Sequence, residues 1–578
     1  MNRSIIWILA GVLICLVAGC DKNGLQHDPR VPDAMVTYIK AGNDEGTKGS
    51  VDNTTARFSW NTGDTIAVYT TTGYKLSNPL ENTYNATNDA TFVLEGVEES
   101  TRDHFAFFPA SLVHGSIDGI KPNCADNHTA DNLVVRLRGS YTLSEVQDEV
   151  SPTPMIATNA PNGDLSFKSL CPLLRITVVN IPNQTKCIEF DFNGKKVQGE
   201  FHLTSVSPGS SAITTCTTTE ADDIITVYTP DLTAWVDQLV INLPVPAGTY
   251  DKVTVTAYDF LPSSIISNTT TIRSGGWTPT RKSSKKHTVV LPVFSVSASK
   301  KVAIAPGNLQ YDRSSGTMSF MEHQYDRVET HNMDVGNRYQ KQDIVSLFGW
   351  ATSSSPGSGF DPGWRIHWPY STDNEENTTD YPLNPTGYGP TYTTLFPNLN
   401  DGDGASLYGD WGIPNPIWYG AIRFYPATWR TPTGDEWAYL IGGRADNYRY
   451  ANGIIHDVEG VLIFPDGFDP SNLGIVIPHC NEPLASPDYI FTQYSDAEWA
   501  AMEASGVVFL PVAGQRNGTI VDRITMHNAG GFYWSTTASS ISNAKGFIFQ
   551  KKAGSHNYGV EDIKRSFGCS VRLIRDIN

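Results

Sequence analysis

Residues 58–68 read Phe58-Ser59-Trp60-Asn61-Thr62-Gly63-Asp64-Thr65-Ile66-Ala67-Val68. Two runs of aromatic and β-branched residues, 58–60 and 65–69, flank the turn-forming Asn61-Thr62-Gly63-Asp64, which is a strand–turn–strand pattern. Working outward, segments of the same kind recur at short intervals: Thr91–Leu94, His104–Phe108 and Leu133–Leu137, then Leu173–Val178, Cys187–Phe192, Ile224–Tyr228, Leu239–Leu243, Val253–Tyr258 and His287–Leu291. No helical period of convincing length interrupts them before residue 300. The pattern predicts two β-sandwiches in series.

Composition agrees with that reading. At 578 residues the chain is too long for one hydrophobic core. Its 49 glycines and 35 prolines suit many short strands joined by turns. Sixty acidic against 42 basic side chains leave a net charge of −18, which argues against a phosphate backbone, and hence nucleic acid, as partner. A hydrophobic fraction of 40% excludes global disorder.

The first twenty residues set the compartment. Met1-Asn2-Arg3 is a short basic segment, and the apolar run from Ile5 to Val17 is shorter than the ~20 residues a bilayer span needs. It ends in Leu16-Val17-Ala18-Gly19-Cys20, which resembles the lipobox of bacterial lipoproteins. That resemblance implies cleavage before Cys20, lipidation of its thiol and a mature chain held to a membrane. Residues 21–33 are polar, as a tether would be, and Met35-Val36-Thr37-Tyr38-Ile39 reads as an isolated strand. A soluble stretch follows, carrying Lys48 and Arg57. Cys124, Cys171, Cys187, Cys216, Cys480 and Cys569 are widely spread with no zinc spacing, and both buried thiols and a disulfide stay open.

The same residues carry a family resemblance. The 58–68 segment is similar to the opening of fimbrillin-type subunits, and Phe105-Ala106-Phe107-Phe108-Pro109-Ala110 to a later strand of theirs. Pro154-Met155-Ile156-Ala157 with 167–175 resembles their join into a second domain, and Leu243-Pro244-Val245-Pro246-Ala247-Gly248-Thr249-Tyr250 a late segment. These fimbrillins are lipoprotein precursors of type V pili in Bacteroidota. The resemblance implies two tandem β-sandwiches of transthyretin-like, Greek-key type, over 34–165 and 166–293, behind a signal peptide (1–20) and a tether with a removable strand (21–57). It also implies assembly with other fimbrial subunits by strand exchange. Met35, Val36, Thr37, Tyr38 and Ile39 would be the displaceable strand, and cleavage after Lys48 or Arg57 would release it. Arginine suits the family's processing, whereas Lys48 has the better position in the soluble stretch. The implied location is an outer-membrane lipid-anchored precursor that passes to the cell surface.

After Val293 the text becomes rich in Trp, Tyr, Gly and Asn, and 351–428 is expected to be loops held by aromatic packing. Two helix starts stand out: Thr433 before Gly434-Asp435-Glu436-Trp437, and the capping box Ser495-x-x-Glu498. Trp429-Arg430-Thr431-Pro432-Thr433-Gly434-Asp435-Glu436-Trp437, Val508–Gly514, Gly531–Thr537 and Ser570–Arg575 together resemble C-type-lectin-like domains, the FISUMP-like group of bacterial surface proteins among them. The resemblance covers 297–578 and implies an α+β domain that binds an extracellular glycan or protein. Trp429, Trp437 and Trp534 read as its core.

Motifs that carry chemistry are few. The cysteine pair of formylglycine-generating relatives is missing, since Ser535-Thr536-Thr537 follows Trp534. No H-E-x-x-H, G-x-S-x-G or phosphate-binding glycine loop occurs, so no enzymatic activity and no cofactor are expected. Asp401, Asp403 and Asp410 would suit calcium but lack a bidentate Glu at loop position 12, which leaves a solvated loop as the other reading. Aromatic side chains crowd 351–428, with Trp364, Trp368, Tyr388, Trp411 and Trp418 the candidate ligand contacts; the other reading makes them the loops' own small core. The expectation is a tip adhesin of a type V pilus; the alternative is a surface lipoprotein that never polymerises and binds its ligand through the C-terminal domain.

Overall fold

The computed structural model describes residues 36–43, 60–70, 73–81, 90–95, 102–110, 134–148, 154–159, 165–203, 213–216, 222–230, 232, 234–260, 263–273, 275–276, 278, 284–312, 314–327, 344–353, 398–400, 409–481, 491–517, 520–522, 530–540, 543–552, 555–565 and 567–577. The fold is mainly β, arranged in several sheets.

Strands β1 (Val36–Asn43), β2 (Ala67–Thr70), β3 (Gly73–Leu76), β4 (Ala90–Glu95) and β5 (Arg102–Phe108) enter one seven-stranded sheet. Its core is Trp60, fully buried, with the rings of Phe92, Phe108 and Phe167 set edge-on around it at 5.0, 5.1 and 5.3 Å. Period-2 alternation puts Ala90, Phe92 and Leu94 on that face. The turn after Trp60 forms as the sequence asks: Asn61 N–H donates to the Asp64 carboxylate at 2.8 Å, and Gly63 takes φ +89°. Burial pushes the Asp64 carboxyl up to about 6, against the pull of that hydrogen bond.

The chain then leaves this sheet and comes back. β6 (Val134–Leu137) pairs with β12 (Gly199–Leu203), whose other neighbour is β13 (Ile213–Cys216), and β7 (Ser140–Thr142) runs parallel to β14 (Ile224–Tyr228). The single-turn α1 (Leu143–Val146) buries Leu143 and Val146 in the second body's core. Only then do β8 (Met155–Asn159) and β9 (Leu165–Ser169) complete the first sheet, in the order β3-β2-β5-β8-β9-β1-β4. Residues 134–146 were expected within the first sandwich; their pairing and burial place them with the second.

That second body is a sandwich. One layer is β15 (Val236–Pro244), β10 (Leu173–Ile181) and β18 (Ser284–Val290). The other is β17 (Ser263–Thr271), β16 (Lys252–Phe260), β11 (Cys187–Asp191), β14 and β7. Leu174, Ile176, Val178 and Ile241 from the first layer meet Ile188, Phe190, Val227, Val253 and Val255 from the second in one core.

From residue 294 the architecture changes to short sheets with two capped helices. Tyr450–Ile455 and Val458–Ile463 form a hairpin beside Val508–Pro511, and Gly530–Ala538, Asn543–Lys552 and Ser555–Lys564 form a meander. Helix α2 (Gly434–Ala438) is capped by Thr433, and α3 (Asp496–Ala504) by Ser495; each has a full capping box. Trp429, Trp437 and Trp534 are buried, as core residues should be. Cys171, Cys187, Cys480 and Cys569 are free thiols.

Because three aromatic rings depend on Trp60, Trp60→Ala should cost about 3–5 kcal/mol in denaturant unfolding followed by a probe in the first sheet. Trp60→Phe should cost clearly less. It keeps the ring contacts and removes an indole N–H that has no partner among the described residues.

Candidate functional site

The displaceable-strand expectation falls on β1, observed over Val36–Asn43; Met35 lies outside the described residues, as do Cys20, Lys48, Arg57, Trp364, Trp368, Tyr388, Asp401 and Asp403. β1 is not an edge. It sits between β4 and β9, antiparallel to the first and parallel to the second. Six residue pairs join it to β4, from Val36↔Glu95 to Ala41↔Ala90, and three join it to β9, from Ala41↔Leu165 to Asn43↔Phe167. The register sets Thr37, Ile39 and Ala41 opposite Leu94, Phe92 and Ala90, all three buried in the Trp60 core. Taking β1 away would leave two facing rows of unpaired backbone groups, on β4 and on β9.

A second arrangement holds the other end of the chain. Ile574–Asp576 pairs with Lys301–Ile304 and also bridges Arg430. The Arg430 guanidinium donates to both Glu436 oxygens (2.6 and 2.7 Å) and both Asp576 oxygens (2.7 and 3.1 Å), and Lys300 adds a contact of 3.3 Å to each carboxylate. Burial would raise the Glu436 carboxyl, but Arg430 outweighs it and holds Glu436 below its ordinary range; the same opposition lowers Asp576. Ile577 is buried in the core of the second sandwich, and Arg575 pairs with Asp259 of β16. Residues 574–577 are therefore tied to both bodies. Arg430 and Glu436, from the Trp429–Trp437 segment that carried the lectin-like resemblance, form this clamp, and Trp437 of the same segment donates to the Trp534 carbonyl at 3.2 Å.

The candidate ligand contacts divide. Trp411 is fully buried with Phe348 5.8 Å away, in a core it shares with strand residues such as Leu309, Phe532 and Trp534, so its ring offers no face to a ligand and the expectation is corrected. Asp410 is likewise not a solvated calcium ligand. It is fully buried and accepts from Thr431 N–H and hydroxyl (both 2.8 Å), from Gly412 N–H (3.1 Å) and from Asn400, which leaves little carboxylate capacity for a cation. Among the described residues no group of three His, Cys, Asp or Glu is placed to hold a metal.

Trp418 is half-buried and belongs to a hairpin, Ile417–Tyr419 with Ile422–Phe424, where only loop was expected. Gly420, at φ +55°, makes its tight turn. Ile417 and Phe424 face each other and point into the core; Trp418 pairs with Arg423 on the outer side. Two residues on, Tyr425 is 65% exposed. The Arg423 guanidinium lies 5.9 Å from the Trp418 ring and 5.9 Å from the Tyr425 ring. Arg423 and Tyr425 were missed in the sequence, although two apolar runs separated by Gly-Ala are a hairpin signal.

No family model matches the chain, and no curated protein does. Solved structures show partial likeness. A candidate cell adhesion protein from Bacteroides uniformis is 14% identical over 44% of this chain and 93% of its own, with a TM-score of 0.24. The tip fimbrial protein Mfa3 from Porphyromonas gingivalis, with C-terminal truncation, is 11% identical over 43% and 84% (TM-score 0.19). A fimbrial assembly protein from Parabacteroides distasonis is 10% identical over 50% and 98% (TM-score 0.21). Likeness at this level assigns no function.

The clamp has a pH signature. Glu436 and Asp576 have folded pKa values below their ordinary 4.5 and 3.8, so their stabilisation is complete above those values and is lost as pH falls through the lower folded ones. Glu436→Gln keeps the capping hydrogen bond but not the charge. It should cost about 1–3 kcal/mol at neutral pH and almost nothing near pH ~2, read from unfolding curves at both pH values.

Proposed function

We propose that this chain is the lipid-anchored surface precursor of a fimbrial subunit, held through Cys20, which exchanges its first strand for one from another subunit. The observation that carries the reading is the position of β1. It is interior to its sheet, and both candidate cleavage residues, Lys48 and Arg57, follow it before the Trp60 turn. A cut at either would break the covalent link while six pairs to β4 and three to β9 still held the strand. An incoming strand antiparallel to β4, with apolar residues opposite Phe92 and Leu94, would restore both the hydrogen bonds and the core.

The reading gives the C-terminal region, 297–578, a C-type-lectin-like recognition role at the tip of a pilus. The clamp on residues 574–577 supports this: a segment fixed by Arg430 on one side and by the Asp259 pair on the other is committed to its own molecule and cannot be lent as a donor strand.

A chain beginning at Phe58 should bind a synthetic peptide of residues 34–45 in fluorescence anisotropy and ignore a scrambled version. Failure of that variant, folded by circular dichroism, to bind the peptide would leave the non-polymerising surface lipoprotein as the better reading. Cys20→Ala should abolish fatty-acid labelling of the precursor; labelling that persists would remove the anchor from the proposal.

A further inference from the structure

The geometry points to a site for a carboxylate-bearing sugar on the outer face of the 417–424 hairpin, built from Trp418, Arg423 and Tyr425. It rests on the reading of the C-terminal region as the recognition region, and gives that region a ligand class. Strand alternation separates the two faces. Ile417 and Phe424 go inward, where Phe424 and Phe320 pack on Trp429 at 5.5 and 5.2 Å. Trp418, Arg423 and Tyr425 are left on the other side with no part in that core. A ring as open as that of Tyr425 keeps apolar surface in water without return from packing.

The three side chains match one kind of ligand. Both rings lie near the outer limit, about 6 Å, of cation–π attraction, so the guanidinium is bracketed by them but not covered. Among the described residues no carboxylate pairs with Arg423 and no hydrogen bond occupies its fork. A pyranose ring offers C–H faces that pack on Trp and Tyr, and a carboxylate on that ring offers the two oxygens a guanidinium binds side by side. Neutral sugars would leave the fork unused. Polyanions such as nucleic acids meet a chain of net charge −18, in which this cation is a local exception.

The platform is also set in advance. Its first strand runs parallel to Thr317–Phe320. Beyond Phe424, Thr428 N–H donates to the Tyr425 carbonyl at 3.2 Å and Ala427 N–H to the Gly412 carbonyl at 3.0 Å, which fixes the turn carrying Tyr425. Little ordering remains to be done on binding.

The test is binding of the purified full-length protein to an array of sialylated and uronate-containing glycans beside their carboxyl-reduced counterparts. The protein should bind carboxylated members at least about tenfold better than the reduced ones. Arg423→Ala should lose at least about tenfold, Arg423→Lys should lose part of it because charge survives without the fork, and Trp418→Ala with Tyr425→Ala should abolish binding. Arg423 and Tyr425 are exposed, so an unchanged melting temperature in their variants verifies the fold. Equal binding to reduced glycans, full binding by Arg423→Ala, or no glycan bound at all would each overturn the assignment. Binding to a neutral glycan or a protein that ignores these substitutions would also overturn it while leaving the recognition role standing; peptide complementation of the first sheet reads the assembly proposal separately.

Discussion

A single guanidinium, that of Arg430, decides how the C-terminal half of the molecule is held. It lies between two carboxylates 140 residues apart, Glu436 at the start of a short helix and Asp576 in the final strand. Each acid alone would suffer from its desolvation, and the arginine would suffer more. Together they fix the helix, the strand and, through the strand, the two contacts that reach the neighbouring sandwich. Ile577 enters that sandwich's core because Arg575 and Asp576, just before it, are each held by an opposite charge. The C-terminal region is thus joined to the second sandwich by burial and ion pairing, beyond the chain linkage near Val293.

The C-terminal region also solves a problem that regular sheets do not have. Its chain turns often, and a buried carbonyl needs a donor wherever a ladder does not supply one. Buried arginines supply the donors. Arg572 donates to the carbonyls of Ala305 and Phe509, Arg565 to that of Asn543 while lying 4.5 Å above the Trp350 ring, and Arg516 to that of Leu347. All three are almost entirely buried, and burial pulls Arg572 down to about 10. One buried arginine can thus tie together stretches of backbone far apart in the chain, as Arg572 ties residue 305 to residue 509.

Some of this could be read in the amino-acid order and some could not. Strands such as Ala90–Glu95 and Ile224–Tyr228 announce themselves because one face is buried and period 2 survives. The caps Thr433 and Ser495 are equally local. The transfer of 134–146 to the second sandwich is a matter of long-range pairing, to which a β-strand's own composition is blind. Trp411 and Trp418 look alike in sequence, seven residues apart among the same neighbours; one is core and the other is on a hairpin's outer side, because irregular chain has no period to separate inside from outside. Asp410 deceived in the same way: an aspartate between glycine-rich turns is as good an internal acceptor as a metal ligand.

The detour of 134–146 has a mechanical side. Backbone passes between the first sheet and the second sandwich three times: after β5, before β8 and after β9. The middle passage is pinned where the Asp148 carbonyl accepts from Arg175 and Asn242, and the last where Leu170 N–H donates to Pro154. Two bodies on a single connecting strand part at the first sustained tug. Here the two passages whose ends are hydrogen-bonded run straight into paired strands, so pulling on either loads ladder bonds that must fail together instead of one after another. Resistance to a pulling force then comes from the threading as much as from the folding free energy.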